Sequence, residues 1–388
     1  MQIYLDHSAT TPTRTEAIAA MHRVLTSEWG NPSSIHQWGE RSSTSIEQAR
    51  FQVAALINAN PDAIAFTSGG TEANNQAIMG VANRYDTPQH LIISSVEHSS
   101  ISAPAQWLED RGWQVTRLPV DRSGRINPDD LATAIRPNTV LVSIIYAQSE
   151  VGTIQRISEL AAICRQSQVY FHTDAVQAAG RIAIDVQKLG IDLLSISSHK
   201  LYGPQGTGAL YIRPGLELVP LLAGGGQEMG WRSGTQAVPQ IAGFGVAAEL
   251  ASEELAAENL RLIGLRDLFF DLLSDCPMLM PTGDKIHRLP HHLSFCLDPS
   301  YHSQAPITGK TIVRQLNLAG IGISSGAACA SGKLTPSPIL LAMGYSQTDA
   351  VGGIRMTLGR STTRADIEWT AMVLKQILTR LTPQLACV

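Results

Sequence analysis

The sequence predicts an α/β fold with a largely parallel sheet, joined to a smaller α+β unit. Two observations carry this reading. Between about Pro61 and Tyr211, short β-rich apolar runs alternate with helix-period stretches, and a long helical pattern from about Pro239 to Cys276 then separates this region from a mixed C-terminal part. Strands that alternate with helices point to crossover units and hence to parallel pairing.

In order along the chain, the first unit reads as strand AIAF, a helix from Thr71, strand LIISS, a helix from Ala103, and strand TVLVSII. A helix from Ser158 follows, then strands VYFHTD, IDLLSIS and GALYI. The second unit holds strand HHLSFCL, the Pro/Ser-rich loop DPSYHSQAPITG, helix KTIVRQLNLAG, a strand and loop over Ile321 to Gly326, and an amphipathic helix from Arg364. The reading divides the chain into a large domain, 13–262, and a small one made of 1–12 with 263–388. Ligands in open α/β sheets bind beyond the carboxyl ends of the strands, so the residues at those ends are the first candidates for a site.

With 388 residues, 44% of them hydrophobic, the chain can bury a sizeable core. A net charge of -4 without a basic block argues against a nucleic-acid groove, and no apolar run approaches the ~18 residues of a membrane span. An early charge at Asp6 argues against a signal peptide, and the expected location is the cytoplasm. The five cysteines form no C-x-x-C pair, so neither a disulfide framework nor a metal site is expected. Cys164, Cys276 and Cys296 lie among apolar neighbours and read as buried thiols.

Several strand ends carry reactive groups. Ser197-Ser198-His199-Lys200, ahead of Tyr202-Gly203-Pro204, places a lysine where imine chemistry is feasible, although a lone lysine is usually a surface residue. Asp174 ends VYFHTD, where a carboxylate can hold a protonated ring nitrogen or simply cap the next helix. Ser68-Gly69-Gly70-Thr71-Glu72 opens a helix, and the free N–H groups there suit a phosphate. His98 follows LIISS and could lie against a planar cofactor and move a proton. The run Ser324-Ser325-Gly326-Ala327-Ala328-Cys329-Ala330-Ser331-Gly332 presents one thiol among small residues, which favours use over burial.

Taken together and in order, these pieces resemble the cysteine desulfurases, which are fold-type I pyridoxal-phosphate enzymes. The resemblance begins at Ile3 to Pro12 and runs through Gly30-Asn31-Pro32-Ser33-Ser34, Thr67 to Glu72, Glu97-His98 and Asp174-Ala175-Val176-Gln177. It continues through Ser197 to Lys200, Arg232-Ser233-Gly234-Thr235 and Ser324 to Cys329, ending at Ile354-Arg355. The Ser-Ser-Gly-x-x-Cys form is similar to the iron-sulfur-cluster and nitrogenase-type branch.

The resemblance implies a large domain with a mainly parallel seven-stranded sheet that binds pyridoxal 5'-phosphate, and a small domain carrying the cysteine loop. It implies that Lys200 holds the cofactor as a Schiff base, that Asp174 and Gln177 hold its pyridine nitrogen and phenolic oxygen, and that His98 stacks on its ring. Gly70, Thr71, Ser197 and His199 would bind the phosphate, joined by Thr235 from across a homodimer interface. Asn31 and Arg355 would take the carboxylate of L-cysteine, and Cys329 its sulfur, for delivery to an acceptor protein such as a cluster scaffold. The family commonly has Asn-Asn-Glu where this chain has Gln148-Ser149-Glu150, so Ser149 replaces an amide expected near the phenolic oxygen. The loop from Asp298 to Gly309 is longer than the family's usual one. Two other readings compete: a C–S lyase or aminotransferase acting on a sulfur amino acid, which would not need Cys329, and a non-catalytic desulfurase-like partner.

Overall fold

The computed structural model describes residues 2–301, 307–326 and 335–382. Cys329 lies outside the described residues. Elements run in the order β1 (Ile3–Tyr4), α1 (Thr15–Thr26), α2 (Gln37–Leu56), β2 (Ile64–Thr67), α3 (Gly70–Ala82), β3 (His90–Ser94), α4 (Ser99–Glu109) and β4 (Gln114–Leu118). Next come α5 (Pro128–Ala134), β5 (Thr139–Ser143), α6 (Ile157–Gln166), β6 (Tyr170–Asp174), α7 (Val186–Leu189), β7 (Leu193–Ser197), β8 (Gly208–Ile212) and α8 (Val238–Leu272). The last part contains β9 (Leu279–Pro281), β10 (His292–Leu297), α9 (Gly309–Leu318), β11 (Ile321–Gly322), β12 (Ser324–Ser325), α10 (Pro338–Ala342), α11 (Gln347–Val351), β13 (Ile354–Thr357) and α12 (Arg364–Leu381).

The main sheet has seven strands in the order β2-β8-β7-β6-β5-β3-β4. Pairing is parallel from β7 to β4, while β8 runs antiparallel to both β2 and β7. Alternate residues of β3 enter opposite cores, Ile92 on one face and Leu91 with Ile93 on the other. This period of two, apolar on both sides, is what a sheet covered by helices on both faces requires. Side chains such as Phe171 and Phe244 are fully buried here, each worth roughly 1.5–3 kcal/mol of transfer free energy.

The chain runs from β3 outward to β4 and then returns to place β5 on the other side of β3. The crossovers therefore diverge between β3 and β5, opening a crevice at the carboxyl ends of the strands. Antiparallel β8 brings its first residue, Gly208, opposite both Thr67 and Ser197, so the ends of β2 and β7 sit at this same edge.

A second apolar core surrounds the four-stranded sheet β12-β13-β10-β9, and β1 pairs in parallel with β11 beside it. Helix α8 links the two cores: Ile241 and Phe244 pack in the first, Leu262 and Phe269 in the second. α12 starts where expected because Thr363 and Asp366 form a reciprocal capping box.

Two boundaries differ from expectation. α4 begins at Ser99 instead of Ala103, because the His98 ring accepts the Ser100 N–H and caps the helix, leaving Pro104 inside it. α8 spans Val238–Leu272, short of Cys276, and Cys276 itself is only half-buried. Among the described residues, no helix is long and apolar enough to cross a membrane.

Candidate active site

Ten of the residues singled out from sequence line one cavity of about 270 Å³: Gly70, Thr71, His98, Ser149, Asp174, Gln177, Ser197, His199, Lys200 and Arg355. Larger hollows of about 640 and 930 Å³ lie elsewhere, but neither gathers comparable chemistry. The topology explains the convergence. Asp174 and Ser197 end β6 and β7, His98 and Ser149 follow β3 and β5, and Gly70 opens α3 after β2. Arg355 reaches in from β13 of the second sheet.

At the floor of the cavity, Asp174 is 4% exposed. Its Oδ1 accepts the Val176 N–H at 2.9 Å and its Oδ2 accepts Asn74 Nδ2 at 2.7 Å. Burial has the largest influence and leaves the carboxyl's pKa raised, although these two bonds and the facing His98 and Lys200 pull the other way. The carboxyl has its outer positions held by donors and one side open to the cavity.

Lys200 leaves the end of β7 on a short 3-10 turn, Ser198–Lys200, and its Nζ donates to the carbonyls of Ser8 at 2.6 Å and Ala9 at 2.7 Å. Burial, reinforced by the Arg355 charge, lowers its pKa to about 8. An amine so placed is neutral in a useful fraction near physiological pH. Gln177 Nε2 donates to the same Ser8 carbonyl at 2.9 Å. His199 Nδ1 lies 3.1 Å from Thr10 Oγ1, and burial together with Lys200 lowers its pKa to about 4, so its ring is neutral.

Arg355 is fixed by an ion pair to Asp6 Oδ1 at 2.7 Å and a bond to the Ser149 carbonyl at 3.1 Å, with its Nε buried and without a partner. Each terminal nitrogen makes one of these bonds and keeps a second N–H, so the planar fork retains capacity for a carboxylate from the cavity. Next to it, Glu150 is pushed up to about 7 by burial.

The cavity suits pyridoxal phosphate. Thr71, Ser197 and His199 cluster where α3 begins, and helix N-termini favour anions. A Cβ on Gly70 would approach Val176 Cγ2 to 2.7 Å, so only glycine leaves this wall open. Asp174, opposite in character, suits a protonated ring nitrogen, and the Lys200 amine suits attachment to an aldehyde.

Two residues singled out from sequence are not among those lining the cavity: Asn31 and Thr235 are both exposed in this chain, with Asn31 Oδ1 accepting the Ser33 N–H at 3.0 Å. Others line it without having been assigned a role, namely Ser8, Ala9, Asn74, Ser100, Ile145 and Val176. Asn74 and Ser100 carried a weak signal, as polar residues in the first turns of the helices that follow strand ends. Ser8 and Ala9 act through carbonyls and left none.

A family model described as aminotransferase class-V matches residues 3–369. The cysteine desulfurase IscS of Dictyoglomus turgidum is 46% identical over 385 residues, covering 98% of this chain and 95% of that protein. That of Methanosarcina thermophila is 44% identical over 381 residues, covering 98% of this chain and 92% of the relative. A solved structure of a NifS-like protein superposes with a TM-score of 0.91 at 32% identity, covering 98% of this chain and 100% of the other. Another, of SspA in complex with cysteine, gives 0.80 at 34% identity, covering 92% and 99%. With its sheet, its cavity and this likeness over almost its whole length, the chain belongs to the class-V aminotransferase family, among the cysteine desulfurases.

Proposed function

We propose that this chain removes sulfur from L-cysteine with pyridoxal phosphate as cofactor, leaving L-alanine and a persulfide on Cys329. One observation carries the reading: Lys200, Asp174, His98, His199 and Arg355 converge from both sheets on one cavity. When bound, pyridoxal phosphate supplies an electron sink for negative charge at the substrate's α-carbon. Gly70, Thr71, Ser197 and His199 would hold its phosphate, Asp174 its ring nitrogen, Gln177 and Ser149 its phenolic side, and His98 its ring face.

Position and proton state support the roles of Arg355 and Lys200, while those of Asn31 and Cys329 come from the resemblance. The Arg355 guanidinium binds the substrate carboxylate beside Asp6, with Asn31 completing that contact. Lys200 Nζ, with its pKa lowered to about 8, holds the cofactor and then takes the substrate's α-proton as a neutral amine. Cys329 Sγ, as thiolate, attacks the substrate sulfur. A sulfur–sulfur bond forms, the carbon–sulfur bond breaks, and its electron pair stays with the carbon, which is protonated on the way to alanine.

We further propose a homodimer in which Thr235 of one copy serves the other copy's phosphate site, and a large domain over 13–262 with a small one from 1–12 and 263–388. The product persulfide passes to an acceptor protein such as an iron-sulfur cluster scaffold. Three free thiols among the described residues support a reducing compartment such as the cytoplasm.

The test is alanine release from L-cysteine with a reductant present, comparing the purified holoprotein with Cys329→Ala. Alanine and sulfide in equal amounts, lost in the variant, are expected. Pyruvate and ammonia, or alanine indifferent to Cys329, would replace this reading with that of a lyase.

A further inference from the structure

Asn74 is 1% exposed on the first turns of α3, between Asp174 and the start of α4. Its Nδ2 lies 2.7 Å from Asp174 Oδ2 and 2.8 Å from Ser100 Oγ, while its Oδ1 is buried without a partner. Paired with the cofactor's protonated ring nitrogen, Asp174 is ionised and only accepts, so the amide nitrogen must face it, and both amide protons are then used. Ser100 Oγ receives one of them, which leaves its own O–H free to donate. The neighbour in reach is His98 Nδ1, at 2.7 Å. The backbone N–H of Ser100, which can only donate, also points at Nδ1, at 3.2 Å.

Two donors aimed at one ring nitrogen leave no room for a proton on it. The neutral His98 ring must therefore carry its proton on Nε2, which has no protein partner among the described residues. Nε2 sits on the ring edge away from Ser100, and His98 lines the cavity. A continuous path thus runs from the Asp174 carboxylate through the Asn74 amide and the Ser100 hydroxyl to His98.

We infer that Asn74 and Ser100 are positioning residues that commit His98 to the Nε2–H tautomer and tie its orientation to Asp174. The inference rests on the reading of His98 and Asp174 as working groups of the site. It assigns His98, in its neutral form, the part of a hydrogen-bond donor toward bound molecules, and it leaves the base at the α-carbon to Lys200.

The test is nitrogen NMR of the holoprotein labelled in histidine, with the His98 signals identified by their loss in His98→Gln. Wild type should show Nε2 protonated and Nδ1 bare. Ser100→Ala should move population toward the other tautomer, and Ser100→Thr, which restores the hydroxyl, should return it. Asn74→Ala should in addition shift the pH midpoint of the holoprotein's visible absorption by about one pH unit, the scale of one lost charge-assisted hydrogen bond. Ser100→Ala leaves the Asp174 bond in place and should shift that midpoint far less. A protonated Nδ1 in wild type, or variants whose histidine and visible spectra superpose on wild type, would overturn the inference. Full alanine formation by His98→Gln would instead overturn the role of His98 itself, and the tautomer spectrum shows which of the two has failed.

Discussion

Replacing Asp174 by Asn keeps the shape of the side chain and removes its charge. The carboxylate accepts from two fixed donors, the Val176 N–H on Oδ1 and Asn74 Nδ2 on Oδ2. An asparagine offers one oxygen and one NH2, so one of those donors must face another donor in a fully buried place. Leaving such a group unpaired costs about 1–3 kcal/mol. The larger effect concerns the cofactor's ring nitrogen, which loses its buried counter-charge; breaking a buried pair by removing one partner costs about 3–5 kcal/mol. If about 3 kcal/mol of this is felt in the transition state, alanine formation falls roughly a hundredfold. Initial rates of alanine release, measured on protein whose visible absorption shows full cofactor loading, provide the assay. Asp174→Glu, which keeps the charge but adds a methylene, should fall between wild type and Asp174→Asn. A loaded Asp174→Asn protein working within about threefold of wild type would refute the reasoning.

Other consequences follow from groups whose environment is equally defined. Because the Lys200 pKa is lowered to about 8, cofactor uptake by the apoprotein should speed up as pH rises toward about 8 and level off above it; a rise that continues to pH 10 would contradict this. Glu97 is buried with its pKa raised to about 8, and its Oε1 accepts from Ser94 Oγ and the Ile145 N–H. Since the folded state keeps this proton longer than the unfolded chain does, stability from this group falls as pH rises between about 4.5 and about 8. Glu97→Gln keeps the accepting oxygen, so its Tm relative to wild type should improve from pH 5 to pH 8, and a constant difference would count against the burial argument. Gly359→Ala would drive a Cβ to 2.1 Å from the His7 ring, which is buried, and should destabilise the fold by about 1–3 kcal/mol in urea unfolding. Asp6→Asn loosens the clamp on Arg355 and should alter KM for cysteine more than kcat, as expected for a group acting on substrate binding.

The parts of the site legible in the sequence share one cause: they sit at or just beyond the ends of short β-rich strands that are almost wholly buried, and the alternation of such strands with helices fixes which ends face the same way. Thr71, His98, Asp174, Ser197 and Lys200 are of this kind. Asn74 and Ser100 are not, because a polar residue inside a helix has the same local pattern whether it faces solvent or a buried carboxylate. The Ser8 and Ala9 carbonyls that hold Lys200 come from backbone brought in across the fold, and no side chain signals them. The start of α4 escaped because Pro104 suggests a first helical turn, whereas the His98 ring supplies a cap five residues earlier than the expected helix start at Ala103. Asn31, Thr235 and Cys329 rest on resemblance: the first two are exposed in the single chain, and the third lies outside the described residues.

The central claim is that Cys329 takes the sulfur while Lys200 opens the way to it. It is tested most directly by exposing the holoprotein to one equivalent of L-cysteine without reductant and weighing the peptide that contains Cys329 by mass spectrometry. This peptide should gain one sulfur atom in wild type and none in Lys200→Ala. An unmodified Cys329 peptide in a protein that has nevertheless released alanine would contradict it.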